Sequence, residues 1–452
     1  MTIKNVIDNG YCVGCGGCKL HSPDNVTIKF EEDGFYQAKI KRAITPDLDS
    51  ICPFSDHSVN ETQLGNELYG DSSLKHDEKV GYYSNIYAGH VIKDQERINS
   101  SSGGLTSWIC EKLLINDHID AVVHVGVDGK KFNYRVSKTV DELRDKKNKK
   151  SRYYPVSFNS IEKYLNSTND RVLVVGIPCY IKTIRLLQRQ GKFHNIKYCV
   201  SLLCGHMKSS GFGESLAWQL GVRPSEQEIF DFRVKKPGLK ASQYYFEVEN
   251  KKSEKLSALN WTLLGSDWGL TFFRHQSCNF CDDIAGEVAD ITLGDAWLDK
   301  YTQDYLGTNI AVVRNDEIEK LLREYSDEIH LETVDVNTFY ETQKGNYGNR
   351  RGGIIAQLSI NNKKWVPHKR LEICKPYEPN KDKSLIYLYR EKLSRLSISR
   401  FKVAKKVDSL FLFKALMFPY LMKYYYMNNG YSFFLKKIIP RKFIITVKKL
   451  KI

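Results

Sequence analysis

The stretch Gly10-Tyr-Cys-Val-Gly-Cys-Gly-Gly-Cys constrains this chain more than any other feature. It sets Cys12, Cys15 and Cys18 at C-x2-C-x2-C spacing in a glycine-rich loop. Three thiols this close can grip three corners of an iron–sulfur cubane, and the glycines let backbone N–H groups turn toward the sulfurs. The chain carries 11 cysteines in 452 residues, a content that a secreted disulfide protein could also show. Its opening, Met1-Thr-Ile-Lys-Asn-Val-Ile-Asp, has no apolar h-region of the kind a secretory signal needs. No run approaches the ~18 apolar residues of a membrane span. The chain reads as cytoplasmic, where cysteines bunched at x2 intervals bind metal.

In a bacterial ferredoxin the run is C-x2-C-x2-C-x3-C-P, and its fourth cysteine ligates the other of two clusters. Here Ser22 stands at the fourth position, still followed by Pro23. Cys52-Pro53 would close a second run, but the places of its first three cysteines hold Arg42, Thr45 and Leu48. All ligands of one cluster are therefore present (Cys12, Cys15, Cys18 and Cys52), and all ligands of the other are absent. Residues 1–60 resemble a two-cluster ferredoxin domain reduced to one 4Fe–4S cluster. A zinc knuckle that recruits His21 is the competing reading of the same residues, although zinc sites favour paired CxxC or Cys/His halves.

Residues 61–80 are polar and without clear periodicity, and read as a linker. From residue 81 to about 378 the pattern is α/β. Buried-strand runs at Ala121-Val-Val-His-Val, Arg171-Val-Leu-Val-Val, Ile196-Lys-Tyr-Cys-Val-Ser-Leu-Leu and Asp290-Ile-Thr-Leu-Gly alternate with helical segments such as 105–115 and 181–190. That alternation predicts a mainly parallel sheet covered on both faces. The basic run from Asp145 to Arg152 reads as a polar loop or a solvated helix end.

Gly176-Ile-Pro-Cys179 and Leu202-Leu-Cys204-Gly-His each end a strand, and Cys278-Asn-Phe-Cys281 precedes another. Strand C-termini of a parallel sheet converge on one edge, where ligands bind. Cys179, Cys204, Cys278 and Cys281 are thus candidates for one site, with zinc or unrelated core thiols as the alternative. Cys199 inside a strand and Cys110 inside a helix read as small buried hydrophobes. The two cysteine sets are expected in separate folding units. Asn99-Ser-Ser-Ser-Gly-Gly104 opens into the helix at Leu105, a turn whose N–H groups and dipole suit a phosphate. It matches neither a Rossmann nor a Walker loop, and an ordinary serine N-cap explains the same residues.

Taken together, Ser100-Ser-Ser-Gly-Gly104, Lys150-Ser-Arg-Tyr-Tyr154, Gly176-Ile-Pro-Cys179, Leu203-Cys-Gly-His206, Cys278-Asn-Phe-Cys281 and Ala289-Asp-Ile-Thr-Leu-Gly-Asp295 resemble the coenzyme F420 hydrogenase/dehydrogenase beta-subunit family. The ferredoxin-type unit often precedes that family's domain. The resemblance implies an iron–sulfur flavoprotein with two 4Fe–4S clusters and FAD. It implies that Cys179, Cys204, Cys278 and Cys281 hold the second cluster. Ser100, Ser101, Ser102, Gly103, Gly104, Lys150, Ser151, Arg152, Tyr153 and Asp295 become candidates for flavin or substrate contacts. Deazaflavin use is not inherited with it, because relatives include reductases of other substrates, and a bacterial branch accompanies surface-polysaccharide synthesis.

The formal charge of +15 is local. Residues 395–452 hold fourteen Lys/Arg and one acid, Asp408, so the first 394 residues carry only about +2. Within this extension, 379–452, cations mix with aromatics, as in Phe411-Leu-Phe-Lys-Ala-Leu-Met-Phe-Pro-Tyr. A helical appendage packed on the core and a peripheral membrane contact through 395–452 are both expectations for it. A zinc-stabilised nucleic-acid binder is disfavoured, because the charge avoids the cysteine-rich regions. The reading of the whole is an oxidoreductase passing electrons between clusters and a flavin, with a small-molecule substrate or a ferredoxin-like redox partner. The alternative is a non-catalytic electron-transfer subunit serving a partner enzyme. No catalytic residue is singled out by the sequence.

Overall fold

In the computed structural model, which describes residues 1–128, 131–145, 149–360 and 365–438, the N-terminal cysteine loop lies between the helices Ile3–Asp8 and Gly17–His21. Gly14 and Gly16 turn it with φ of +66° and +89°, conformations that other residues resist. The strands β1 (Val26–Phe30) and β2 (Tyr36–Ile40) form an antiparallel hairpin beneath it, with Val26 opposite Ile40. The helix Pro46–Ser50, capped by the Thr45 hydroxyl accepting from the Leu48 N–H, delivers Cys52.

A short ladder of β3 (Lys75–Asp77) and β4 (Gly81–Tyr83) leads into the body. There β5 (Asn85–Val91), β6 (Ala121–Asp128), β7 (Lys131–Ser137), β8 (Val172–Gly176) and β9 (Ile196–Leu202) enter the main sheet. A separate antiparallel sheet follows, made of β10 (Gln227–Val234), β11 (Tyr245–Asn250) and β12 (Lys255–Leu259). The chain then returns to the main sheet as β13 (Ile291–Asp295), β14 (Asn309–Val313) and β15 (Ile329–Thr333). The eight strands run in the order β15-β5-β14-β13-β9-β8-β6-β7. The block β13-β9-β8-β6 is parallel, and antiparallel strands extend it on both sides. The parallel block is the part that gathers strand C-termini at one edge, as the alternating pattern implied.

Two expectations about organisation change. Residues 61–80 are not a bare linker. Glu61–Tyr69 is a helix whose Asn60 and Gln63 exchange capping hydrogen bonds at 2.9 Å, and Leu64 and Tyr69 are buried. Its Glu61 meets Lys182 at 3.3 Å and Arg370 at 3.8 Å, long-range partners that local periodicity cannot reveal. Nor do the cysteine sets occupy separate units. Leu20, Val26, Leu48 and Ile51 share one apolar cluster with Val123, Val174, Ile181 and Ile184 of the main sheet and its covering helix.

The C-terminal extension is a hairpin of the helices Lys381–Lys406 and Leu410–Ile438. Leu393, Phe401, Phe413 and Met417 are at most 2% exposed and pack on the β10–β12 side of the body. At ~1.5–3 kcal/mol per side chain, these four hold the hairpin firmly, so the appendage reading describes its inner face. Residues 146–148 of the basic run and 439–452 of the tail lie outside the described residues. No helix among the described residues is long and apolar enough to cross a membrane.

Candidate metal centres and cofactor cavity

Cys12, Cys15, Cys18 and Cys52 line one small cavity of about 20 Å³ under the N-terminal loop. Cys15 and Cys18 are buried, and Cys12 and Cys52 partly so. Burial first, then the neighbouring Cys15, Cys12 and Cys52, pushes the Cys18 thiol well above its ordinary value. Burial likewise lifts Cys12 to about 11, against a 3.4 Å hydrogen bond donated by the Ala38 N–H. Four thiols crowded in an apolar pocket ionise only when a multivalent cation offsets their repulsion. The loop has no slack around them. A Cβ on Gly14 would stand 2.3 Å from the Tyr36 carbonyl oxygen, and one on Gly17 would stand 2.0 Å from Cγ2 of Thr183.

The second quartet assembles at the expected sheet edge. Cys179 lies in the first turn of the helix Pro178–Arg189 after β8, and Cys204 follows β9. Cys278 and Cys281 sit in and just after the 3-10 turn Gln276–Phe280. Burial and then Cys281, Cys204, Cys278 and Cys15 push the Cys179 thiol up, which places all four inner thiols, and one outer thiol, within electrostatic reach. The Met207 N–H donates to Cys278 Sγ at 3.3 Å. Among the described residues no three Cys, His, Asp or Glu side chains converge tightly enough for a single ion. Backbone donors aimed at sulfur in both quartets, the Ala38 N–H at Cys12 and the Met207 N–H at Cys278, fit an iron–sulfur cluster.

Arg350 supplies the inner quartet's countercharge. It is 2% exposed on a π-helical turn, Gly348–Gly352. Its Nε donates to the Cys281 carbonyl at 2.9 Å, and its Nη1 donates to the carbonyls of Cys204, at 3.3 Å, and Gly205. Although burial opposes it, the four thiols Cys281, Cys278, Cys204 and Cys179 raise the guanidinium's affinity for its proton. Sequence reading missed Arg350; the one local sign is the paired arginine between glycines in Gly348-Asn-Arg-Arg-Gly. Next to this quartet, Arg370 joins Asp282 (3.1 Å) and Glu287 (2.6 Å) in a buried ion network that fixes the 281–287 segment.

A cavity of about 1360 Å³ opens beyond Cys204. Its walls include Ser100, Ser101, Ser102, Gly104, Lys150, Ser151, Arg152, Tyr153 and Asp295, so the separate motifs that the resemblance singled out meet in one place. Gly103 stands behind the wall, where a Cβ would come within 2.8 Å of the Gly89 carbonyl. The helix Leu105–Ile115 begins at Gly104 (φ +91°), not at a serine cap. The serine hydroxyls are spent on holding the loop: Ser100 donates to the Glu96 carbonyl and Ser102 to the Thr308 carbonyl, while Ser101 accepts from the Ser151 N–H. Lys235 pins the loop from outside, donating to the carbonyls of Arg97 (2.6 Å), Ser102 (2.8 Å) and Leu306 (2.6 Å).

Three charged candidates face partners within the chain. Lys150 pairs with Asp231 at 2.6 Å, and Asp295 with Arg233 at 2.7 Å. Arg152 donates to the carbonyls of Phe230 and Lys149 and lies over the Phe132 ring. They shape the wall as much as they offer charge to a ligand. His206 and Trp268, with ring centroids 4.4 Å apart, add an aromatic wall. The C-terminal hairpin closes the far side with Arg390 and Tyr424, joined at 3.1 Å, and with Tyr425 and Asn428. Nothing in the sequence placed these last residues at the site, because their position depends on how the hairpin docks.

Two family models match this chain. The coenzyme F420 hydrogenase/dehydrogenase beta-subunit N-terminal model covers residues 86–162, and the C-terminal model of the same subunit covers 169–338. Together they span more than half of the chain. A coenzyme F420-dependent sulfite reductase of Methanocaldococcus jannaschii is 24% identical over 65% of this chain. The chain spans 43% of that relative's length. One subunit of an F420H2 dehydrogenase of Methanosarcina mazei is 22% identical over 70% of this chain and 86% of its own length. A chain of the F420-reducing NiFe hydrogenase complex from Methanosarcina barkeri aligns with 66% of this chain and all of itself, at 14% identity and a TM-score of 0.48.

Proposed function

The chain belongs to the coenzyme F420 hydrogenase/dehydrogenase beta-subunit family, and from that premise we propose that it is an oxidoreductase with two 4Fe–4S clusters and one flavin, FAD. The observation that supports this reading is that the two cysteine quartets and the cavity adjoin one another. The outer thiols reach the inner ones through Cys15 and Cys179, and the inner thiols reach the cavity through Cys204. Bound flavin would exchange hydride with a substrate and single electrons with a cluster.

The chain's own part is to hold and insulate. The Ser100–Gly104 loop, pinned by Lys235 and by the Ser101–Ser151 hydrogen bond, offers a rigid rim for the flavin phosphates. Arg350 balances the inner thiolates. Cavities for drug-sized ligands measure ~300–1,000 Å³, so the larger volume here supports a flavin with a second molecule beside it. Trp261, Trp268 and Trp297 give that second molecule apolar faces, which suits a sugar of surface-polysaccharide metabolism as well as a planar deazaflavin. The redox partner would meet the chain at the partly exposed Cys12 and Cys52.

A second reading, a non-catalytic electron-transfer subunit, is favoured by the relative whose name makes it one subunit of a dehydrogenase. Anaerobic purification with metal, sulfide and cofactor analysis tests the proposal. The expected result is about eight iron, eight acid-labile sulfides and one flavin per chain. Stoichiometric zinc without visible absorption overturns it, and release of a deazaflavin in place of FAD corrects the cofactor. Turnover of a small molecule by the isolated chain separates the two readings.

A further inference from the structure

The hairpin helix Leu410–Ile438 has two sides with different work. Its inner side packs Phe413, Met417 and Leu421 into the body and places Tyr424, Tyr425 and Asn428 at the cavity. Phe411, Ala415, Phe418, Met422 and Tyr426 recur at intervals of three and four residues, which puts them on a single stripe. That stripe is turned away from the buried Phe413 and Met417, with Met422 half-buried at its edge against the body. Phe411 is 81% exposed, Phe418 55% and Tyr426 54%. Val407 (57%) and Val403 (42%) continue the apolar surface around the hairpin turn. Large aromatics exposed in series on a well-packed helix mark an interaction surface.

The surrounding charge decides the occupant. The helix contains no acid, and the exposed Lys414 and Lys423 flank the stripe on either side. Lys406 lies at the turn. The one acid of residues 395–452, Asp408, is already paired with Arg223 at 3.0 Å. Aromatic rings in the middle with lysines at the margins match the layering of an anionic lipid surface, where rings enter the acyl boundary and ammonium groups stay at the phosphates. Pro419 and the break at Gly430 keep the helix from extending as one apolar rod.

We propose that this outer face of the Leu410–Ile438 helix docks the protein on an anionic membrane surface, with Phe411, Phe418 and Tyr426 as anchors and Lys414 and Lys423 as headgroup contacts. Phe411, Phe418 and Tyr426 are exposed on a different side of the helix from Phe413, Met417 and Leu421, which pack into the body. This inference does not depend on which cofactor the cavity takes.

The test is co-sedimentation of the full-length holoprotein with vesicles of phosphatidylcholine alone or mixed with phosphatidylglycerol. Binding to the mixed vesicles only, weakening with salt, is expected. A Phe411→Glu, Phe418→Glu double variant should lose binding by about tenfold or more, with iron, flavin and melting temperature unchanged because both rings are exposed. Three results overturn the proposal. The parent chain fails to bind mixed vesicles at low salt; the double variant binds as well as the parent, assigning the attraction to the basic 439–452 segment; or the double variant turns a dimer into a monomer without vesicle binding, making the face an interface between two copies.

Discussion

The hydroxyl of Thr183 lies 3.6 Å from the sulfur of Cys15 and donates to the Cys179 carbonyl at 2.9 Å. One threonine therefore touches a thiol of the outer quartet and the backbone of an inner one. A hydroxyl has one proton for these two acceptors. When Cys15 is a metal-bound thiolate, its sulfur can only accept, and the proton is drawn toward it. Thr183→Val keeps the shape that Gly17 packs against and removes the proton. The outer cluster, which gains negative charge on reduction, should lose about 1 kcal/mol of preference for the reduced state, roughly 40 mV of midpoint in a one-electron couple. Potentiometric titration followed by EPR reads the shift. Thr183→Ser should restore it, and an unchanged midpoint in the valine variant would show that the contact is mere packing.

Cys179→Ala and Cys281→Ala should each remove the inner cluster, about four iron per chain. Cys199→Ala should keep the full iron count, since Cys199 is a fully buried residue of β9. The shared apolar core adds a condition. Tyr180, next to Cys179, packs in the cluster that also holds Leu20 and Leu48, so retention of the outer cluster is measured in the same variants. Iron analysis and Mössbauer spectra of the three variants check the order; iron loss in Cys199→Ala alone would mean that the ligand was misassigned.

What was readable in the sequence follows from how local each signal is. That Cys12, Cys15, Cys18 and Cys52 meet was legible because three of them fall within seven residues and Cys52-Pro53 keeps its place in a known run. The inner quartet was legible because β8 and β9 end where their apolar runs end, and parallel strand ends converge. The helix after β8 starts at Pro178, ahead of the expected 181, because proline suits the first helical position. Thr183, Arg350 and Arg390 were not legible. Each matters through partners 40 or more positions away, at Cys15, Cys204 and Gly205, and Asn349. The 61–69 helix carries a local start signal in Asn60 and Gln63, but the ion pairs with Lys182 and Arg370 that hold its first turn to the body are distant in sequence.

Lys235→Met should loosen the Ser100–Gly104 loop without touching either quartet. Three carbonyls, of Arg97, Ser102 and Leu306, lose their donor, and each hydrogen bond is worth ~0.5–1.5 kcal/mol. Flavin affinity measured by fluorescence quenching should fall by about tenfold or more, with a lower melting temperature and full iron content. Unaltered flavin affinity in a folded variant would remove the loop from the cofactor site.

Arg350 carries the sharpest electrostatic prediction. Its guanidinium is buried, donates to the carbonyls of Cys281, Cys204 and Gly205, and feels all four inner thiols. A cation beside a cluster favours the reduced, more negative state and so raises its midpoint. A unit charge ~10 Å away at an effective dielectric of ~20 contributes about 1.5 kcal/mol, or roughly 70 mV for one electron. Arg350→Met should lower the inner midpoint by that order and leave the outer one in place. The same change orphans three carbonyls, so it mixes a structural effect with the electrostatic one. Arg350→Lys resolves this, because it keeps the charge while losing the forked donors. If lysine restores the midpoint but not the melting temperature, the charge sets the potential and the fork sets the fold. If lysine and methionine shift the midpoint alike, Arg350 acts by holding the Cys204 and Cys281 loops in position.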